Sequence, residues 1–144
     1  MIAMFAGLAL MAMQTPPPPE AAWTWTLYAD EAPVVLANEV PDTANLRFTL
    51  ECEPGSGVAR ATLYGGAGGA GMARVSAGDA SAVAESEAGR SGGVKLALRA
   101  DHPVFAAFAA DGRLSVAVAE QRRSIEVPRA HLAKLRRFAE LCSG

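Results

Sequence analysis

Cys52 and Cys142 are the only cysteines of this 144-residue chain, and His102 and His131 its only histidines. A thiolate can act as a nucleophile, and Cys with His can hold zinc. Zinc sites, however, draw on ligands at short paired spacings, and these four residues are scattered singly. Two cysteines in a small exported chain are most simply a bridge, which predicts a Cys52–Cys142 disulfide. Closing a loop of that length contributes roughly 4–5 kcal/mol in the chain-entropy account. His102 precedes a proline at a helix start and His131 lies in the terminal helical pattern, so both read as helix-end or surface residues. No metal and no cofactor are expected.

Other residues suited to chemistry also have plainer readings. Gly66-Ala67-Gly68-Gly69-Ala70-Gly71 spells the dinucleotide fingerprint, with Glu85 and Glu87 about 20 residues on. That fingerprint works only inside a parallel βαβ unit, and residues 72–86 lack an amphipathic helix, so the stretch is expected to be a loop. No phosphate loop is present and no hydrolase signature is read. Glu51 and Glu53 share the outer face of one strand, where two solvated carboxylates lack the burial a catalytic pair needs. Trp23 and Trp25 could stack on a ligand, but tryptophans on one strand face are more often core. The chain is expected not to be an enzyme.

Charge adds one further candidate. Residues 1–60 carry seven acidic and two basic side chains, whereas residues 90–144 carry ten basic and five acidic. The plain reading is that both sets decorate solvated faces and partly neutralise each other when the halves pack. The sharper one is a partner-binding basic patch of Arg122, Arg123, Arg129, Lys134 and Arg137, with Arg136 beside them. A net charge of −2 excludes a general pull toward nucleic acid or anionic lipid.

These residues need a folded scaffold, and the composition supplies one: 51% apolar and 19% charged side chains describe a globular chain with one core. Residues 1–14 read as a signal peptide, since an uncharged apolar run of 13 residues gives way at Gln14-Thr15 to four prolines. Such a run is shorter than the about 20 residues of a spanning helix, and no stable membrane anchor is expected. The leader lacks the usual early Lys or Arg, which points to a start upstream of Met1. The competing reading, an apolar N-terminal helix of a cytosolic protein, is disfavoured by the prolines and the cysteine pair. The first cysteine lies far from the cleavage site, which excludes a lipoprotein. Residues 15–21 form an extended Pro-rich linker, and 22–144 a single β-rich domain.

Within that domain, alternation predicts strands at 23–28, 33–37, 46–53, 58–64, 94–99 and 113–118, with a short last strand at 124–127 after a polar turn at 120–123. Two Ala- and Ser-rich segments, 72–76 and 80–86, give weaker strand patterns. Leu46, Phe48, Leu50 and Cys52 point inward, and Pro54-Gly55-Ser56-Gly57 makes 46–64 a hairpin. Asp101 is placed to cap a short helix over 103–109. Pro128 opens a terminal helix whose buried stripe, Leu132, Leu135, Phe138, Ala139 and Cys142, ends in the cysteine, with Lys134 and Arg137 facing water. The expected fold is mainly β: an antiparallel sandwich or flattened barrel of about eight strands with a C-terminal α-helix.

Val40-Pro41-Asp42-Thr43 leading into Leu46–Cys52 and the Pro54–Gly57 turn, with a final helix carrying Phe138 and Cys142, resembles small uncharacterised exported proteins of alphaproteobacteria. It is more distantly similar to invasion-associated locus B and VasI-type envelope proteins. The resemblance implies a β-rich, non-enzymatic accessory role in the periplasm and carries over no site residues. The expected function is therefore that of an exported, periplasmic or secreted, non-catalytic protein binding another envelope macromolecule, such as an envelope protein. A small-molecule carrier, with its ligand inside the β-shell near the tryptophans, is the alternative.

Overall fold

Buried and exposed residues alternate along most of the nine strands among the described residues, although Val58, Met72 and Val83 put apolar side chains outside; the computed structural model describes residues 16–66, 69–89 and 92–144. Strands β1 (Thr24–Tyr28), β2 (Val34–Glu39), β3 (Leu46–Cys52) and β4 (Val58–Leu63) form a meander. Strands β5 (Gly71–Ala77), β6 (Ala80–Ala88) and β7 (Val94–Arg99) form a second meander that enters in reverse, so that β7 lies beside β4. After helix α1 (Pro103–Asp111), β8 (Arg113–Val118) pairs with β5, and β9 (Gln121–Glu126) forms the far edge. A 3-10 turn at Arg129–His131 leads into helix α2 (Leu132–Cys142). The single sheet, in the order β1-β2-β3-β4-β7-β6-β5-β8-β9, is antiparallel throughout and curls into a half-barrel.

Both helices pack on the inner face: α1 lies over β5, β6 and β8, α2 lies over β1 and β2, and the two touch each other. A chain of aromatic rings runs through this core, Trp25 to Phe48, Phe108, Phe105 and Phe138, with successive centroids 6.0, 6.4, 6.4 and 6.5 Å apart. Tilted and edge-on contacts at such distances suit the ring quadrupoles. Cys52, at the inward end of β3, bonds Cys142 at the end of α2, with Cα atoms 5.9 Å apart. Beside the bridge, the β3–β4 turn caps the helix: Gly55 N–H donates to Leu141 O at 2.9 Å and Gly57 N–H to Cys142 O at 2.7 Å.

The expected mainly β architecture with a C-terminal helix is present, and of the two expected forms, sandwich or flattened barrel, the curled half-barrel corresponds to the second. Both Ala- and Ser-rich segments are strands, β5 and β6, which raises the count to nine. Their weak signal has a packing reason. Ala73, Ala77, Ala80, Ala82 and Ala84 form the inner floor under α1, and small side chains there leave room for Phe105 and Phe108. β2 continues past Ala37 to Glu39 because buried Asn38 donates from Nδ2 to Thr24 O at 3.1 Å, and the bulge lies at Asn38/Glu39. The run expected as a turn at 120–123 belongs mostly to β9, the actual turn being Ala119-Glu120.

Asp101 does not cap α1. His102 does, its Nδ1 accepting from Val104 N–H at 3.0 Å, because Pro103 is the first helical residue and the cap is the residue before it. Asp101 instead forms a two-pronged ion pair with Arg99, both contacts 2.9 Å. No helix among the described residues is long and apolar enough to cross a membrane. The expected signal peptide, residues 1–14, lies outside the described residues, as do Ala67 and Gly68 of the glycine-rich stretch.

Candidate functional site

Most of the basic side chains singled out by charge have structural partners. Arg123 points to the inner side of β9 and donates from Nη2 to Tyr64 O at 2.6 Å and from Nη1 to Gly65 O at 3.0 Å, tying the sheet's far edge to the end of β4. Lys134 does not face water: its Nζ donates to Trp25 O at 2.6 Å, anchoring α2 to the edge of β1. Arg136 reaches the last carbonyls of α1, Ala109 O at 3.4 Å and Ala110 O at 3.1 Å, where a cation suits the helix dipole. Arg137 pairs with Glu140 at 3.0 Å on the exposed side of α2. Arg122 and Arg129 are exposed, with no side-chain hydrogen bond among the described residues.

The histidines are also engaged locally. Besides His102 at the cap, His131 Nδ1 lies 3.2 Å from Lys134 Nζ, where a neutral imidazole accepts from the ammonium. Burial, and then the Lys134 charge, hold His131 below its ordinary pKa. Among the described residues no group of three His, Cys, Asp or Glu side chains is placed to hold a metal ion.

The glycine-rich stretch runs into β5, a strand in an antiparallel sheet, so the context of a dinucleotide fingerprint is absent. Gly89-Arg90-Ser91-Gly92-Gly93 matches the spelling of a hydrolase nucleophile elbow, contrary to the reading that such signatures are absent. It joins antiparallel neighbours β6 and β7, whereas an elbow runs from strand to helix, and Arg90 and Ser91 lie outside the described residues. The two tryptophans part company. Trp25 is buried against Phe48, while Trp23 lies under the Arg47 guanidinium, 4.0 Å from ring centroid to Cζ, with its Nε1 buried and unpartnered among the described residues.

A concentration of polar side chains that the strands bring together lies on the outer face of β3, β4, β7 and β6. Thr49, Glu51, Arg60, Thr62, Tyr64, Glu85, Glu87 and Lys95 line an open concavity of about 570 Å³. Register builds it in rows. Thr49, Thr62, Lys95 and Glu87 are successive cross-strand partners, and Glu51 stands opposite Arg60 in the next row. Thr49 Oγ1 and Tyr64 Oη are 3.3 Å apart. None of the ion pairs closed within 4.0 Å among the described residues involves Glu51, Arg60, Glu85, Glu87 or Lys95. The five charges therefore remain directed at solvent, held at cross-strand spacing on a rigid sheet.

Alternation marks each of these residues as outward-facing. The β3–β4 hairpin sets Glu51 beside Arg60, and only the strand order, with β7 inserted between β4 and β6, brings them to Lys95, Glu85 and Glu87. A second hollow, about 510 Å³, opens at the end of the half-barrel and is lined by Leu63, Val94, Val116 and Val118 with Arg123 at its side. It is the more apolar of the two and is lined by neither tryptophan. No protein-family model, curated protein or solved structure matches this chain.

Proposed function

We propose that this chain is an exported, non-catalytic binding domain of the cell envelope, periplasmic or secreted, that holds an extended segment of an envelope protein across its outer groove. The observation that carries the reading is the array of Glu51, Arg60, Glu85, Glu87 and Lys95, charges of both signs on four adjacent strands that are not consumed by ion pairs with one another. An extended polypeptide with side chains of both signs complements such rows, and the threonine hydroxyls and Tyr64 offer hydrogen bonds between the charges. The Cys52–Cys142 bridge supports an oxidising compartment, and the resemblance to small exported proteins points the same way. Both histidines, the residues best suited to proton transfer at neutral pH, are engaged in a helix cap and a lysine contact.

The test is recovery of a crosslinked partner from envelope extracts with the charge-reversal variant Arg60→Glu/Lys95→Glu, beside Arg122→Glu/Arg129→Glu. Reversal in the groove is expected to lower recovery at least about tenfold, since like charges then face the partner's anions. Unchanged recovery with the groove variant and loss with the second would return the site to the basic residues. The apolar hollow at the barrel end favours the carrier reading instead, and a small apolar molecule released from the purified chain, with no protein partner, would decide for it.

A further inference from the structure

The two edges of the half-barrel differ. At β1, the Trp25 carbonyl is taken by Lys134 of α2, and α2 packs along the strand. At β9, nothing among the described residues pairs with the far side of the strand. Its free groups follow from the hairpin. Val118 and Gln121 close the two-residue turn and form a hydrogen-bonded pair, and the alternation then makes Val116↔Arg123 and Leu114↔Ile125 hydrogen-bonded pairs too. Val127 N–H donating to Gly112 O at 2.7 Å continues that series. The N–H and C=O groups of Arg122, Ser124 and Glu126 accordingly point away from the sheet, and their side chains lie on its exposed outer face.

We propose that β9 is a self-association edge, pairing antiparallel with β9 of a second copy of this chain about a two-fold axis through Ser124. In that register Ser124 faces Ser124 of the second copy, and Arg122 faces its Glu126 twice by symmetry, so all three free pairs of backbone groups are satisfied on each strand. The neighbouring registers fail. Centring on Arg122 sets that arginine against its own copy. Centring on Arg123 puts Glu126 against Glu120, and centring on Ile125 puts Arg122 against Pro128, which has no N–H to give.

Edge strands are commonly guarded against other chains by charged side chains, whose repulsion needs like charges to face one another. This edge carries opposite signs placed symmetrically about a small residue, which is attractive to its own copy. Arg122 has no ion-pair partner among the described residues, and Glu126 is exposed with Arg113 of β8 at 3.8 Å. The row Ser81, Ser76, Ser115 and Ser124, joined partner to partner across four strands, would continue into the second copy without a bulky side chain at the seam. Arg123 is clear of the seam because its guanidinium is held inside by the Tyr64 and Gly65 carbonyls. β9 is not part of the outer groove, which lies on β3, β4, β7 and β6.

Sedimentation of the purified chain over a concentration series tests the pairing, with Arg122→Glu and Glu126→Arg made separately and then mixed. The unmodified chain should dimerise, and each single variant should dissociate about tenfold or more readily, because two facing pairs become like-charged. The equimolar mixture should regain the dimer, since the strand with acids at both positions then faces the strand with bases at both. Regain in the mixture also shows that both variants are folded. A monomer at every concentration, or single variants that dimerise as well as the parent, would overturn the proposal.

Discussion

At the scale of single residues, His131 is a side chain with a shifted pKa. It is held below the ordinary imidazole value of 6.5 by burial and by Lys134, the lysine that anchors α2 to Trp25 O. With the folded value lowered, the unfolded chain takes up the proton first as pH falls through about 6.5, and stability declines from there toward the folded value. Above that window the contribution is fully present. Denaturation between pH 7 and 5 should show this decline, and His131→Gln, which accepts from Lys134 but does not titrate, should flatten it. An equal slope in both chains would remove His131 from the account. Other residues are readable from the sequence for clear reasons. Cys52 alternates with Leu50 and Phe48, and Cys142 ends an apolar helical stripe, so pattern alone places both on buried faces. The capping role of His102 is less legible, because Asp is the commoner cap and only the start of α1 at Pro103 decides between neighbours.

At the scale of elements, the junction between α1 and β8 rests on one glycine. Gly112 has φ +78°, its N–H donates to Phe108 O to end the helix, and a Cβ there would lie 2.6 Å from Val127 O. Gly112→Ala is expected to destabilise the chain by about 1–3 kcal/mol through the left-handed backbone and the collision with β9's extension. Gly55→Ala, with a similar φ of +72° but no atom within 4 Å, should be milder, and urea midpoints of the two variants compare them directly. A Gly112→Ala chain as stable as its parent would contradict the packing described. Element boundaries are hard to read where tertiary contact overrides local pattern. β6 places Ala80, Ala82 and Ala84 inward because α1 fills the space above them, and alanine is a weak strand former. Arg122 and Arg123 read as a polar turn, whereas one is exposed on the outer face and the other crosses the barrel to Tyr64 O.

At the scale of the whole molecule, the nine strands among the described residues form a curled sheet around α1 and α2, and the bridge and the Gly55 and Gly57 caps fasten α2 to the β3–β4 turn. The outer groove is a product of strand order, which no local pattern specifies. The Glu51–Arg60 pair of one hairpin meets the Lys95–Glu87 pair of another only because the β5–β7 meander enters in reverse and sets β7 beside β4. The β-rich domain is locked by Cys52–Cys142, and the proposed function adds that it is exported from the cytosol. The most direct test of both is intact-mass measurement of the chain recovered from cells with an alkylating agent present and no reductant. Export and the bridge together require a mass lacking the leader, with neither cysteine alkylated. A mass that retains the leader and carries two alkylated thiols would contradict both the compartment and the bridge.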